Sequence, residues 1–117
     1  MKWFVAKLIF RIIVSNENKG QFDIQWRLIL DYSIDEALFQ TFQIGYKEEE
    51  RFLSSSGKSV EWKFIGVETI NEIAELNNGT LLFSNTQETD SAFEFIAQVK
   101  NRPQNAYKIP VNTFVAL

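Results

Sequence analysis

Two segments near the start of the chain alternate between apolar and other side chains with a period of two. In residues 3–14 every even position is apolar, and the even positions of residues 22–32 are apolar as well. This period is typical of β-strands with one buried face, because successive side chains of a strand point to opposite sides of the sheet. The polar residues 15–21 lie between the two strands and predict a hairpin.

The same pattern predicts the register of this hairpin. If Ser15 faces Gln21, even-numbered residues of one strand face even-numbered residues of the other. Both apolar rows then lie on one side of the sheet, whereas a shift by one residue would expose one row to water. We therefore expect Leu8 and Trp26 in the core, and Arg27 on the outer side. On this assignment Trp26→Ala costs about 3–5 kcal/mol, and Arg27→Ala stays within about 0.5 kcal/mol.

The next segment predicts a helix that covers the apolar side of the hairpin. Ser33 and Glu36 have the spacing of a capping box, in which each side chain accepts the backbone N–H of the other residue. An apolar stripe that can pack on the even face of the hairpin follows the cap, and it consists of Ile34, Leu38, Phe42 and Tyr46, with Ala37 and Thr41 beside it. Gly45 weakens this helix, so its end is left open between residues 43 and 52.

The second half of the chain predicts a second pair of strands and a second helix. Residues 60–64 alternate as a strand, and Gly66 interrupts the alternation, which indicates either a β-bulge or a close backbone contact. Residues 70–76 have an apolar spacing of three that fits one or two helical turns, and residues 80–84 predict a short strand. The last helix follows, with Asp90 as its N-cap.

Together these elements predict an α+β fold: an antiparallel sheet, the order ββαββα, one main helix on one sheet face, and a C-terminal helix. A chain of 117 residues has the size of a single domain. Within it we expect a ββαββ core in residues 1–86 and a helix with a tail in residues 87–117. Residues 106–117 carry enough apolar side chains that we expect this tail to dock, either on its own domain or on a second chain.

The composition removes several kinds of chemistry. The chain contains no Cys and no His, which excludes disulfides, thiolate nucleophiles and zinc–thiolate sites, and removes the commonest general base. A Gly-Lys-Ser sequence at residues 57–59 lacks the first glycine of a phosphate-binding loop and precedes a strand instead of a helix. We predict no catalytic, cofactor-binding or metal-binding residue, and no cofactor. A small-ligand binder or an enzyme that uses carboxylates and lysines stays an alternative if Lys7, Asp31 or Glu68 converge in a pocket.

Charge is distributed unevenly along the chain, which has a net charge of −3. Residues 1–30 contain five cations and two carboxylates, whereas residues 31–50 contain one cation and six carboxylates. The acidic balance argues against a nucleic-acid partner, which requires clustered Lys and Arg. Weak RNA binding is the alternative offered by the predicted outer face of the hairpin, which carries Trp3, Lys7, Arg11, Gln25 and Arg27. Asp23 and Asp31 on the same predicted face oppose it.

The strongest functional signal is apolar. A sheet that packs one face on a helix is normally polar on the other face, but the predicted outer face carries Trp3, Val5, Ile9, Ile13 and Ile29. Either the C-terminal helix and tail cover this face, or a second copy or another protein does. We therefore expect a non-enzymatic protein-interaction module, with a homodimer as one form of it.

The N-terminal segment predicts neither a signal peptide nor a membrane span. Lys7 and Arg11 interrupt its apolar stretch, and no segment reaches about 18 consecutive apolar residues. We therefore expect a cytoplasmic protein with no membrane partner.

Two strand motifs resemble a small bacterial family of unknown function. Residues 3–10 (WFVAKLIF) match an opening strand with the pattern Trp-aromatic-x-Ala-Lys-Leu, and residues 60–67 (VEWKFIGV) match a later strand with the pattern Trp-x-Phe-x-Gly-Val. The resemblance covers residues 3–84 and departs from the family at Leu81, where members carry an acidic residue. It implies a compact bacterial α+β domain, and it assigns no activity and no functional residue.

Overall fold

The structure is a computed structural model that describes residues 1–103. These residues divide into two compact units, residues 1–83 and residues 84–103. The elements are β1 (Lys2–Val14), β2 (Gln21–Asp31), α1 (Ile34–Lys47), β3 (Glu50–Leu53), β4 (Ser59–Ile73) and α2 (Ala92–Lys100). The predicted docking of residues 106–117 lies outside the described residues.

The four strands form one antiparallel sheet in the order β2-β1-β4-β3. The predicted α+β class with an antiparallel sheet is confirmed. The predicted order ββαββα is matched only roughly, because the second pair of strands, β3 and β4, has other bounds than the predicted pair. β3 was not predicted, β4 continues to Ile73 through residues expected to be helical, and residues 80–84 contain no strand.

The predicted hairpin register is wrong. Trp3 faces Leu30 and Ile12 faces Gln21, so even-numbered residues of β1 face odd-numbered residues of β2. The end of β1 pairs with β4 and not with β2: the Ser15 N–H donates to the Ser59 carbonyl at 2.9 Å. This leaves a wider connection between β1 and β2 than the predicted hairpin has, and the two apolar rows therefore lie on opposite sides of the sheet.

The core lies between the sheet and α1. As predicted, β1 buries its even-numbered face; the cluster consists of Phe4, Ala6, Leu8 and Phe10 with Ile29, Ala37 and Phe64. The prediction for β2 is wrong, since Trp26 lies on the other side of the sheet and is 52% exposed. Arg27 lies on the helix side, where a guanidinium nitrogen is 3.9 Å from a carboxylate oxygen of Glu48.

Helix α1 begins at the predicted cap, but it buries a different stripe. The buried positions are Ala37, Thr41 and Gly45, whereas Ile34 and Tyr46 at the ends of the predicted stripe are exposed. Three small residues at a spacing of four let the helix backbone lie close to the sheet, and a Cβ at Gly45 would meet the Phe64 ring. The buried Thr41 hydroxyl donates to the Ala37 carbonyl at 2.7 Å, so its polar group is satisfied.

Of the two alternatives at Gly66, the bulge is confirmed, with one extra residue on each side of this glycine. The pairing of β1 with β4 shifts register between Lys7 and Leu8 and again between Ile9 and Phe10. Each extra residue in β4 changes which side its next side chains occupy. The core positions Phe64, Val67 and Ile70 are therefore three residues apart. Ile70 and Ile73, which were predicted to lie in helical turns, instead lie on opposite sides of β4, with no register shift between them.

The second unit contains α2, whose N-cap differs from the prediction. The Ser91 hydroxyl, not the Asp90 carboxylate, accepts the backbone N–H of Glu94, at 3.4 Å. None of the α2 residues is buried. Within residues 1–103, neither helix is both long and apolar enough to cross a membrane.

Replacing Ser33 should lower the free energy of unfolding. The Ser33 hydroxyl accepts the Glu36 N–H at 3.2 Å, and losing an N-cap oxygen costs about 1 kcal/mol. We expect this loss for Ser33→Ala in urea denaturation, and a change within about 0.5 kcal/mol for Ser55→Ala in the exposed loop before β4. Equal effects of the two substitutions would mean that the cap contributes nothing to α1.

Candidate interaction surface

The outer face of the sheet, opposite α1, carries a row of large apolar side chains on β2. These five side chains are between 36% and 56% exposed, and we call them the β2 row: Phe22, Ile24, Trp26, Leu28 and Leu30. Single exposed apolar side chains are ordinary on protein surfaces, but a contiguous group is typical of a binding surface. The alternation in β2 predicts this row in the core, so its position on the outer face is a correction.

The alternate residues of β2 explain why the strand can turn its apolar row outward. On the helix side, the Gln25 amide donates to the Asp23 carboxylate at 2.8 Å, and the Arg27 guanidinium donates to the Gln25 side-chain oxygen at 2.9 Å. These polar groups are half-buried and joined to one another. The helix side of β2 therefore tolerates polar residues, and only Ile29 from this strand joins the core.

Strand β1 continues the outer face beside the β2 row. Leu30 faces Trp3, Leu28 faces Val5, Trp26 faces Lys7, Ile24 faces Ile9 and Phe22 faces Arg11. The apolar surface therefore spans two strands, with one cation near its middle and one near its end.

The predicted interface residues do not all share this face. Trp3, Ile9 and Ile13 lie on it and are half-buried. Val5 lies on it as well but is only 3% exposed. Ile29 lies on the other side, where it faces Phe4 and is 2% exposed in the helix-side core.

The burial of Val5 has a local cause. Asn71 faces Val5 across β1 and β4, and the Asn71 side-chain amide donates to the Leu82 carbonyl at 3.2 Å. The chain that follows β4 therefore lies against this part of the outer face. The β2 row, at the far side of β1, keeps its exposure.

Two cations face each other on the outer face without a carboxylate. Arg11 and Lys63 are direct cross-strand partners, and within residues 1–103 neither forms an ion pair. Like charges in this position destabilise a sheet slightly. We call Arg11 and Lys63 the cation pair; it lies next to Phe22 at one end of the β2 row.

Lys7 differs from the cation pair because it already has partners. Its ammonium nitrogen is 3.2 Å from a carboxylate oxygen of Glu68 and 5.4 Å from the centre of the Trp26 ring. The Lys7 charge is therefore balanced within the sheet, and the ring gains a cation–π contact.

The groups named for an enzyme or a ligand pocket do not converge. Asp31 lines a depression beside α1 with Asp35 and Glu36, whereas Lys7 and Glu68 pair with each other elsewhere in the sheet. In the part of the chain that the structure describes, no three acidic residues come together as metal ligands.

The RNA-binding set is divided between the two faces of the sheet. Trp3, Lys7 and Arg11 lie on the outer face, and Gln25 and Arg27 lie on the helix side. The two aspartates that opposed RNA binding, Asp23 and Asp31, also lie on the helix side.

Fold and surface define a class: an α+β domain whose antiparallel sheet packs a helix on one face and presents an apolar row on the other. The chain belongs to a family described as Domain of unknown function (DUF4288), whose model matches residues 3–84. No curated protein and no solved structure matches the chain significantly. The matched residues include the whole β2 row.

Proposed function

We propose that this protein is a non-enzymatic protein-interaction module that binds its partner on the outer face of the sheet. The observation that carries the proposal is the β2 row, in which five large apolar side chains are 36–56% exposed. Covering them removes roughly 400 Å² of apolar surface from water, which contributes about 10 kcal/mol before the costs of association. These costs are of similar size, so the rim of the surface decides affinity and specificity.

The partner is a protein segment that carries apolar side chains and carboxylates. Apolar groups of the segment cover the β2 row, and its carboxylates meet Arg11 and Lys63. These cations face each other without an anion among the described residues. A carboxylate between them relieves their repulsion and forms charge-assisted hydrogen bonds.

The surface suits a protein better than a nucleic acid. Three of the five side chains in the β2 row are aliphatic and offer no ring on which bases stack. The chain is acidic overall, and the cation pair is too small a cluster to hold a phosphate backbone strongly.

The proposal predicts which peptides the full chain selects. Selection from a random phage-displayed peptide library should enrich sequences that combine apolar residues with Asp or Glu. The double substitution Ile24→Ser and Leu28→Ser should weaken the binding of an enriched peptide at least tenfold in isothermal titration calorimetry. Arg11→Glu should weaken the binding of the same peptide and favour the binding of basic peptides.

Phe39 supplies the matched control. It is a large apolar side chain that is 66% exposed on α1, so Phe39→Ser removes exposed apolar surface away from the outer face. We expect the affinity of Phe39→Ser for the enriched peptide to stay within twofold of wild type. Failure to enrich any peptide, or equal losses for Phe39→Ser and the double variant, would overturn the proposal. Binding of a labelled single-stranded RNA 20-mer that is lost in Trp26→Ala would replace the protein partner with RNA.

A further inference from the structure

We infer that two copies of this protein pair antiparallel through the free edges of their β2 strands, with Gln25 of one copy facing Gln25 of the other. Strand β2 is an outer strand of the sheet, with β1 as its neighbour. The inference concerns the edge of β2, whereas the proposed function concerns its outer face, so either can hold without the other.

The edge of β2 is neither short, bulged nor interrupted by Pro, and its only protection against strand pairing among the described residues is the charge on its helix side. The strand has 11 residues, contains neither Pro nor Gly, and pairs with β1 without a register shift from Asp31 to Gln21. Natural edge strands are commonly short, bulged, or interrupted by Pro. The opposite edge is protected in this way, because β3 has only four residues.

The charges around β2 select a second copy as the partner. Lys19, Asp23, Arg27 and Asp31 alternate in sign at a spacing of four. This pattern is antisymmetric about Gln25. When two antiparallel copies are centred there, Asp23 faces Arg27 of the second copy, and this contact occurs twice by symmetry. Lys19 precedes β2, and its charge lies toward Asp31 of the second copy beyond the paired residues.

Neighbouring registers are worse for the same charges. Centring the pair on Arg27 makes that residue face its own copy and brings Asp23 opposite Asp31. Centring the pair on Asp23 makes Asp23 face its own copy. It also brings Lys19 of one copy opposite Arg27 of the other, so both contacts join like charges. Centring the pair on residue 24 or 26 leaves Asp23 and Arg27 opposite uncharged residues. Centring it between two neighbouring residues places the apolar row of one copy on the polar side of the other.

The outer face and the strand end agree with the register centred on Gln25. Ile24 faces Trp26 of the second copy and Phe22 faces Leu28, so the two β2 rows become neighbours on one face. At the end of β2, the Gln40 amide, oriented to satisfy its hydrogen bonds, donates to the Leu30 carbonyl at 3.3 Å. Backbone pairing is therefore confined to residues 22–28, which are centred on Gln25.

Exchanging charges tests this register. In sedimentation velocity at low salt, the full chain should sediment with twice its monomer mass of 13.6 kDa. Asp23→Lys alone and Arg27→Asp alone should each weaken the dimer at least tenfold, since each creates facing like charges. The two substitutions together restore opposite charges and should bring the dimer back to within about threefold of wild type. Circular dichroism checks that each variant is folded.

An introduced cysteine tests the geometry directly. Because the chain has no Cys, oxidation of Gln25→Cys can join only residue 25 of two copies, and facing strands hold such residues within disulfide range. We expect rapid cross-linking at Gln25→Cys and none at Gln43→Cys, which is exposed on α1.

Three results would overturn the inference: a monomer at millimolar concentration, a dimer that both single charge changes leave intact, or cross-linking at Gln43→Cys as fast as at Gln25→Cys. A dimer that only Ile24→Ser with Leu28→Ser abolishes would also overturn it, because the copies would then meet through their outer faces. The proposed function is tested separately, since Asp23→Lys should leave peptide binding within twofold of wild type.

Discussion

Phe64→Ala should lower the free energy of unfolding by about 3–5 kcal/mol, the range for removing a buried aromatic ring. Phe64 is 4% exposed, and its ring centre lies 5.0 Å from that of Tyr46, 5.4 Å from Phe10 and 5.7 Å from Phe42. This ring joins α1, β1 and β4, so the cavity left by alanine has walls on three elements. Urea denaturation with an unchanged m-value would measure the loss.

Trp26→Ala is the control that distinguishes the two sides of the sheet. The side chain is of similar size but half-exposed, so we expect a loss of about 1 kcal/mol or less, chiefly from the contacts with Lys7 and β1. A loss equal to that of Phe64→Ala would mean that the predicted register, with Trp26 in the core, holds after all.

Gly45→Ala should destabilise the protein by about 1–3 kcal/mol, the range for overpacking a core. Alanine normally stabilises a helix interior relative to glycine by about 1 kcal/mol, so the expected sign is opposite to that of an exposed site. The reason is steric: a Cβ at Gly45 would lie 2.5 Å from the Phe64 Cζ. The ring is held by three neighbouring aromatic side chains and has little freedom to move away.

The comparison with Gln43→Ala isolates this steric effect. Gln43 is exposed on the same helix, and its replacement should change the free energy of unfolding by less than about 0.5 kcal/mol. If Gly45→Ala instead stabilised the protein, α1 would lie farther from the sheet than the structure has it. The double variant Gly45→Ala with Phe64→Leu should recover part of the loss, because a smaller side chain frees the space.

The two faces of the sheet differ in burial. The helix side contains the large buried rings and the small helix residues on which stability depends. The outer face carries the β2 row, whose members are half-exposed and contribute less to folding. This separation makes the binding experiments interpretable, since substitutions in the β2 row should alter affinity before they alter the fold.

The candidate surface was only partly predictable. The alternation in β1 identified Trp3, Ile9 and Ile13 as outer residues, because the even face of that strand is apolar throughout. In β2, alternation predicts Ile29 on the outer face and the β2 row inside, and both predictions are wrong. The more apolar row of a strand is not always the buried one.

Local patterns by themselves determined the strand character of β1 and β2, the cap at Ser33 and the bulge near Gly66. Each of these depends on residues close together in the chain, through side-chain alternation, a hydroxyl three residues from an N–H, or one break in a period. Tertiary structure alone decided which way β2 turns, because that depends on the end of β1 pairing with β4, more than 40 residues away. A period of two specifies that a strand has two faces, and only the partner across the sheet specifies which of them is covered.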